Sequence, residues 1–231
     1  MIDNARASDF LNKAEKLLSW QAFQLEEMRE FGRHGKLDDV ERSFWLILCL
    51  VDSIHQSLVD AAKKLGMEDW CDELIHLRNN DPLLYYMWKG RNSEVHDALV
   101  KWRPSMKHIN MRIVDAAKVR NIVGNLPPQV HVNALLCFVY GAHSKNDLIE
   151  AMKQNPIPSP EKQFEAGIEI IESLESLSLD DFQIGPGRRA ETISAPTLHM
   201  GKHMPPSADQ AVRFALEFYK GKYEELKLAA G

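Results

Sequence analysis

The chain has 231 residues, 45% of them apolar, which is enough for one large domain with a buried core or for a domain with an appendage. Its net charge of −5 excludes a basic field over the whole protein, so any nucleic acid must bind a local patch. Three scattered cysteines without a CxxC pair predict reduced thiols. The N-terminus has no signal-peptide pattern, and the longest apolar run, residues 44–51, is too short to span a bilayer. We therefore expect a soluble, cytoplasmic protein with no membrane partner.

The first part of the chain predicts two long helices. Apolar residues recur at 3.6-residue spacing over residues 10–28, with Ser8 or Asp9 as the cap. A second helix is predicted from about residue 37 to 65, with Gly66 placed to end it. Its middle is apolar nearly all round, which is typical of the central helix of a bundle or of a subunit contact.

Two further helices are predicted before residue 104. A short one spans about residues 68–77. Asp81 and Pro82 then form a typical helix start, with Asp as the cap and Pro in the first turn. This helix is expected to run to about Val100, with an interruption or bend near Gly90.

The pattern changes after Pro104. Alternating and β-branched residues at 109–123 fit strands, whereas residues 130–140 fit either a strand or a buried helix, because periodicity does not decide short apolar runs. Helices are predicted at 145–153, with Ser144 as its cap, and at 161–177, where the pattern is acidic and amphipathic. A long irregular segment at 184–207 follows, with a strand near 192–200. A final helix begins at Ser207 or Asp209 and continues to Leu228.

These elements predict a mainly α-helical protein with a small additional β element in its C-terminal half. We expect residues 1–121 to form an antiparallel helical bundle. Residues 122–231 are expected to form an elaboration whose last helix packs back on the bundle.

The segment "KGRNSEVHDAL", residues 89–99, carries the candidate reaction centre. Arg91 offers a forked, permanently charged donor that can stabilise a pentavalent phosphorus centre. His96 titrates near neutrality and can move a proton to or from a ribose oxygen. Asn92 adds an amide that can orient either partner. These groups suffice for RNA cleavage in which the 2′-OH attacks the adjacent phosphate, with no metal or other cofactor.

The spacing of these residues constrains how they can meet. Asn92 and His96 are four residues apart and share a helix face, whereas Arg91 and His96 are offset by about 140° on an ideal helix. One straight helix therefore does not direct both at one point. Either Gly90 lets the helix begin or bend at Arg91, or two copies of the segment meet across a two-fold axis.

A local excess of positive charge begins at this segment. Residues 89–120 contain eight Lys or Arg and three Asp or Glu, whereas residues 161–181 contain seven acids and one lysine. The basic stretch indicates an anionic ligand such as RNA. The cations predicted to bind the RNA backbone are Lys89, Lys101, Arg103 and Lys107.

The segment "RNSEVH", residues 91–96, resembles the Arg-x4-6-His motif of HEPN domains, in which a polar residue, often Asn, follows the Arg. The setting is also similar, since two long helices precede a motif-bearing helix. The resemblance covers residues 8–121 and the last helix. It implies an all-α bundle that forms a homodimer with the motif at the dimer cleft. Arg91 would then be the phosphate-stabilising cation, Asn92 the orienting residue and His96 the acid/base.

Many HEPN proteins are endoribonucleases of toxin–antitoxin, abortive-infection or CRISPR defence systems, and others are binding modules without activity. The resemblance thus implies a metal-independent endoribonuclease that acts on RNA, with an antitoxin or defence protein as partner. The alternative is a non-catalytic HEPN-like module that binds RNA, a nucleotide or a protein. The chain departs from the toxin pattern after the His, where "DALVKW" replaces the common Gly-Tyr, and Glu94 and Asp97 flank the His. In a third interpretation the bundle is unrelated, and Arg91 pairs with a neighbouring acid.

Other chemistry-bearing residues have simpler explanations. His199 and His203 of "HMGKH" have the spacing of helical zinc ligands, but the glycine between them and the prolines that follow argue against a helix, so we expect no metal site. Tyr85, Tyr86 and Trp88 flank the motif, where they either stack on bases or fill the core.

Overall fold

The structure is a computed structural model that describes residues 3–95, 103–155, 157–184, 191–204 and 207–230. It divides into two units: the bundle, residues 1–106 and 175–231, and the insert, residues 107–174. The sequence-based boundary between residues 121 and 122 thus falls inside the insert.

Within the described ranges the chain is mainly helical, with short strands. The helices are α1 (Asn4–Arg33), α2 (Leu37–Lys64), α3 (Glu68–Asn80), α4 (Pro82–Val95), α5 (Ala116–Val123), α6 (His131–Tyr140), α7 (Lys145–Gln154), α8 (Pro160–Ala166) and α9 (Ala208–Ala229), with a 3₁₀ turn at Pro128–Val130. The strands are β1 (Arg103–Ile113), β2 (Ile168–Ser178), β3 (Phe182–Ile184), β4 (Glu191–Ile193), β5 (Leu198–His199) and β6 (Lys202–His203).

The bundle is built around α2. The α1 and α2 helices are joined by a tight turn and pack together along most of their length, while α9 packs against α1, α2 and α4. The buried stripe of α2 follows the 3.6-residue period and includes Phe44, Ile47, Ile54 and Leu58, all fully buried. The predicted central helix is therefore confirmed, and the last helix packs on the bundle as expected.

The α2 helix is long and apolar enough to cross a membrane by length and composition alone, which the short run at 44–51 did not suggest. Just over half of its most apolar window, 56%, is buried inside the fold, and the core helix of a globular bundle passes the same test.

Two helix boundaries in the bundle differ from the prediction. The α1 helix begins at Asn4 because the side chain of Asp3 accepts a hydrogen bond from the Arg6 N–H, so neither Ser8 nor Asp9 is the cap. The α4 helix continues through Gly90 without interruption, and this glycine is buried in the bundle.

The segment 191–204 contains three short strands rather than one. The β4 strand pairs antiparallel with β3, and β5 pairs antiparallel with β6. Met200 and Gly201 form the turn between β5 and β6, both with positive φ, as a tight two-residue hairpin requires.

The insert contains α5 to α8 and parts of β1 and β2, which are neighbours in one sheet. Its small core includes Val119 and Val123 of α5, Leu135 and Val139 of α6, and Ile168 of β2. Residues 130–140 thus form the buried helix of the two predicted alternatives. Strands were expected at residues 109–123. The structure has a strand there as far as Ile113, where β1 ends, and the helix α5 from Ala116 to Val123.

The prediction of one acidic helix over residues 161–177 is confirmed only as far as Ala166 and is wrong beyond it. The α8 helix ends at Ala166 because Gly167 takes a left-handed conformation with φ +70°, and β2 begins directly after it. The Gly167 carbonyl accepts hydrogen bonds from the backbone N–H groups of Val114 and Asp115. These bonds join the residues that follow β1 to the residue that precedes β2. The β-branched Ile168 and its neighbours favour a strand once the helix has stopped.

Candidate functional site

The motif lies on α4, whose start is as predicted. The Asp81 side chain accepts hydrogen bonds from the backbone N–H groups of Leu83 and Leu84, and Pro82 occupies the first turn. Arg91 lies near the end of α4, which is helical at least to Val95.

The structure gives side-chain geometry for two of the seven predicted site residues, Arg91 and Lys89. Asn92 is part of α4, and Arg103 and Lys107 are part of β1, but their side chains lie outside the described part of the chain. His96 and Lys101 lie outside the described residues altogether.

Arg91 projects from α4 toward α2. Its Nε lies 3.6 Å from Oδ2 of Asp52, and its side chain is 36% exposed. The carboxylate therefore holds one edge of the guanidinium while part of the group faces solvent. Such an ion pair is what the third interpretation expects, and it also orients the guanidinium.

Lys89 is held inside the bundle. Its Nζ donates a hydrogen bond of 2.8 Å to Glu191, and its side chain is only 19% exposed. The Tyr85 hydroxyl donates to the other oxygen of Glu191 at 2.5 Å. The hydrogen bonds from Lys89 and Tyr85 lower the pKa of Glu191. A phosphate that binds Lys89 would have to displace this carboxylate.

The aromatic residues near the motif divide into two groups. Tyr86 is fully buried and its hydroxyl donates to the Asp180 carbonyl, so it fills the core. Trp88 is only partly buried, and the guanidinium of Arg78 lies 4.3 Å from the centre of its ring. Lys89 also lies near this ring. A base that stacks on Trp88 would compete with Arg78 for the ring.

Two features of the site region were missed in the sequence. Asp52 is a lone carboxylate within the apolar middle of α2, and that isolation is a sequence signal that was available. The hydrogen bond between Asp81 and His199 joins residues 118 positions apart, so no local pattern predicts it.

The hairpin geometry separates the two histidines of "HMGKH". His199 is paired with Lys202 and Leu198 with His203, and residues paired across a ladder share a face. His199 and His203 therefore lie on opposite faces of the hairpin. Within the described ranges, no group of three or more His, Cys, Asp or Glu side chains is arranged to hold a metal ion.

Comparisons with known proteins give no relative for this chain. No protein-family model matches the sequence, no curated protein is significantly similar to it, and no solved structure matches its fold.

Proposed function

We propose that this protein is a HEPN-like, metal-independent endoribonuclease that acts as a cytoplasmic homodimer in a toxin–antitoxin or phage-defence system. The single observation that carries the proposal is the position of Arg91, which is partly exposed on the motif helix and oriented by Asp52. The bundle of long antiparallel helices around α2 is the setting that such a motif requires.

The Arg91–Asp52 pair is compatible with phosphate binding. A guanidinium carries five N–H donors in a fixed fork, more than one carboxylate can accept. The contact at Nε fixes the plane of the group, which reduces the entropy lost when a phosphate binds. Asp52 would then be a positioning residue for Arg91.

The continuity of α4 supports a dimeric site. Because the helix neither begins at Arg91 nor breaks at Gly90, Arg91 and His96 of one straight helix would point about 140° apart. Two copies related by a two-fold axis bring Arg91 of one chain toward His96 of the other. The outer face of α2, which also carries Asp52, exposes Trp45 and Leu46 by 38% and 40%, and we propose it as the contact.

In the proposed reaction His96 removes the proton from the ribose 2′-OH, whose oxygen attacks the adjacent phosphorus. Arg91 stabilises the charge on the phosphorane, and Asn92 orients the phosphate or His96. The bond to the 5′ oxygen breaks, that oxygen takes up a proton from water, His96 returns its proton to solvent, and a cyclic 2′,3′-phosphate remains. Lys101, Arg103 and Lys107 bind the flanking backbone.

The proposal is tested by RNA cleavage in the presence of EDTA. Wild type should leave cyclic-phosphate ends, and His96→Ala and Arg91→Ala should each lose about a hundredfold or more in rate. His76→Ala, which changes an exposed histidine on α3, is the matched control and should keep full activity. Absence of cleavage by wild type across structured and single-stranded RNAs would overturn the proposed activity, as would an active His96→Ala variant.

Mixing the two inactive variants tests whether the site is shared between chains. If Arg91 and His96 act across the two-fold axis, heterodimers of Arg91→Ala and His96→Ala chains contain one intact site. Random assembly should then restore about a quarter of the wild-type rate. Restoration to less than a few per cent, with mixed dimers verified by mass spectrometry, would exclude a shared site.

The Asp52 carboxylate favours a second candidate, a non-catalytic module that binds RNA, a nucleotide or a protein. A negative charge 3.6 Å from Arg91 weakens the local attraction for phosphate. In that case wild type binds RNA without turnover, and Asp52→Asn binds it more tightly. For the enzyme, Asp52→Asn should instead slow cleavage because Arg91 loses its orientation.

A further inference from the structure

A buried carboxylate fixes His199 from one side. Oδ1 of Asp81 accepts a 2.9 Å hydrogen bond from Nδ1 of His199, and Oδ2 accepts a 2.7 Å bond from the Met200 N–H. The backbone N–H groups of Leu83 and Leu84 also donate to Oδ1. Burial acts to raise the pKa of Asp81, but these hydrogen bonds outweigh it and the pKa lies below its ordinary value. Asp81 is thus an anion that requires the proton on Nδ1 of His199.

This arrangement leaves Nε2 of His199 as the available ring nitrogen. With the proton on Nδ1, Nε2 of the neutral ring carries a lone pair and accepts a hydrogen bond. No hydrogen bond of Nε2 to the described residues is present. His199 lines an open pocket of about 210 Å³, together with Met200, Lys202, Met204, Phe214, Glu217 and Phe218.

The backbone around this histidine is strained. Met200 has φ +48° and, among the described residues, is the only non-glycine residue with a positive φ. Residues with a side chain rarely adopt this conformation because it is strained, and those that do cluster at binding sites and tight turns. The turn aligns the Met200 N–H and His199 Nδ1 with the two oxygens of Asp81, so the strain is linked to the orientation of the histidine.

The walls of the cavity define the ligand. The rings of Phe214 and Phe218 lie 6.0 Å and 5.9 Å from the ring of His199, centre to centre. Thioethers from Met200 and Met204 extend the apolar part of the lining, which suits an aromatic ring, and Lys202 and Glu217 add two charged groups. A volume of roughly 150 Å³ holds benzene, so this pocket, which is open to solvent on one side, has room for a single ring with a small substituent.

We propose that this cavity binds a small, single-ring aromatic molecule that carries an O–H or N–H group, with that group donating to Nε2 of His199. The cavity lies wholly within the bundle, and this inference does not depend on the proposed ribonuclease activity.

The test uses phenol and toluene, which have the same shape but differ in the O–H donor, and the full-length chain with ¹³C-labelled methionine methyl groups. Two of the nine methionines, Met200 and Met204, line the cavity, and their signals are assigned with Met→Leu variants. Both probes should give saturable ring-current shifts confined to these two signals. Absence of saturation at millimolar probe, or equal shifts at the other methionines, would overturn the site.

Asp81→Asn tests the role of the carboxylate. An asparagine still caps a helix and its Oδ1 still accepts from Nδ1 of His199, but the neutral amide polarises the ring less than the carboxylate does, so Nε2 becomes a weaker acceptor. The affinity ratio of phenol to toluene should fall roughly threefold to tenfold in this variant, while toluene binding is retained. An unchanged ratio would refute the hydrogen bond to Nε2. If the variant does not fold, the wild-type titration decides the existence of the site by itself.

Discussion

The bundle and the insert differ in the length of their helices and in the size of their buried cores. The bundle buries long helices, of 30 and 28 residues for α1 and α2, around one core to which α3, α4 and α9 also contribute. The insert has helices of 7 to 10 residues and a much smaller buried cluster. It also leaves large apolar side chains exposed, most of all Phe164 at 71%.

The difference teaches where the stability of each unit comes from. Short helices bury little apolar area per turn, so the insert depends more on caps and turns. The Asp115 carboxylate caps α5, Ser144 caps α7, Ser159 caps α8, and Gly167 ends α8 in a left-handed conformation. In the bundle helix packing dominates: Asp3 and Asp81 cap α1 and α4, but the central helix α2 starts at Lys36 without a side-chain cap.

The largest expected effect is loss of the bundle core. Phe44 is fully buried in α2, so Phe44→Ala should lower the free energy of unfolding by about 3–5 kcal/mol. Leu135→Ala, at a buried position in the smaller core of α6, should cost about 2 kcal/mol. Urea titration measures both values.

Hydrogen exchange shows where each change acts. Phe44→Ala should lower the protection of amides in α1, α2 and α9, whereas Leu135→Ala should lower it in α5, α6 and β2. If Leu135→Ala lowered amide protection in α2 as much as in α6, the expectation that each substitution acts on its own unit would be contradicted.

The second effect is specific to the bundle and depends on pH. Burial, assisted by the positive charge of Arg78, lowers the pKa of His55 to about 3. Between this value and the ordinary pKa of 6.5 the unfolded chain binds a proton that the folded chain excludes, so the stability contributed by the neutral ring is lost as the pH falls. Wild type should lose about 2 kcal/mol more than His55→Phe between pH 7 and pH 5.

Phenylalanine is a suitable replacement because it retains an edge contact with Tyr219, whose ring lies 6.1 Å from that of His55, centre to centre. Urea titrations at both pH values give the difference. Parallel pH dependence in the two proteins would show that His55 gains a proton in the folded state as readily as in the unfolded chain.

The third effect tests turn geometry in the insert. A Cβ at Gly167 would lie 2.5 Å from the Asp115 carbonyl oxygen, and the residue has φ +70°. Gly141 has a similar φ of +65° but open space around it. Gly167→Ala should therefore destabilise the insert by about 2–3 kcal/mol and Gly141→Ala by about 1 kcal/mol. Amide exchange in β2 and α5 measures the difference, and equal effects would mean that the backbone moves to relieve the clash.

The same contrast explains how far the sequence predicted the fold. Helical periodicity located α1 and α2 because each runs for several turns and buries one stripe, and helix-start signals located α4 and α9. The segment at 161–177 was misassigned because its apolar residues fit a helical stripe, and only the conformation of Gly167 divides it into α8 and β2. Short elements are decided by contacts that are distant in sequence, and periodicity contains no information on them.

The candidate site shows the same limit. The sequence placed Arg91 on a helix, but the partner of Arg91 comes from α2 and that of Lys89 from β4, 102 residues further along the chain. The pairing of Asp81 with His199 likewise depends on the hairpin turn at Met200. Side chains that meet only after folding are not visible in local spacing.

The smallest expected effect compares one ion pair from each unit. In the bundle, Glu191 accepts from Lys89 and Tyr85, and the lysine is largely buried. In the insert, Arg112 and Glu169 pair across β1 and β2 with both side chains well exposed. Glu191→Gln should cost about 1 kcal/mol, and Glu169→Gln about 0.3 kcal/mol or less, because solvent screens the exposed pair.

Raising the salt from 0.05 M to about 0.5 M should abolish the smaller cost and leave most of the larger one, since a hydrogen-bonded and partly buried pair is screened less. Urea titrations at the two salt concentrations measure both costs, and equal salt sensitivity would show that Lys89 is as solvated as Arg112.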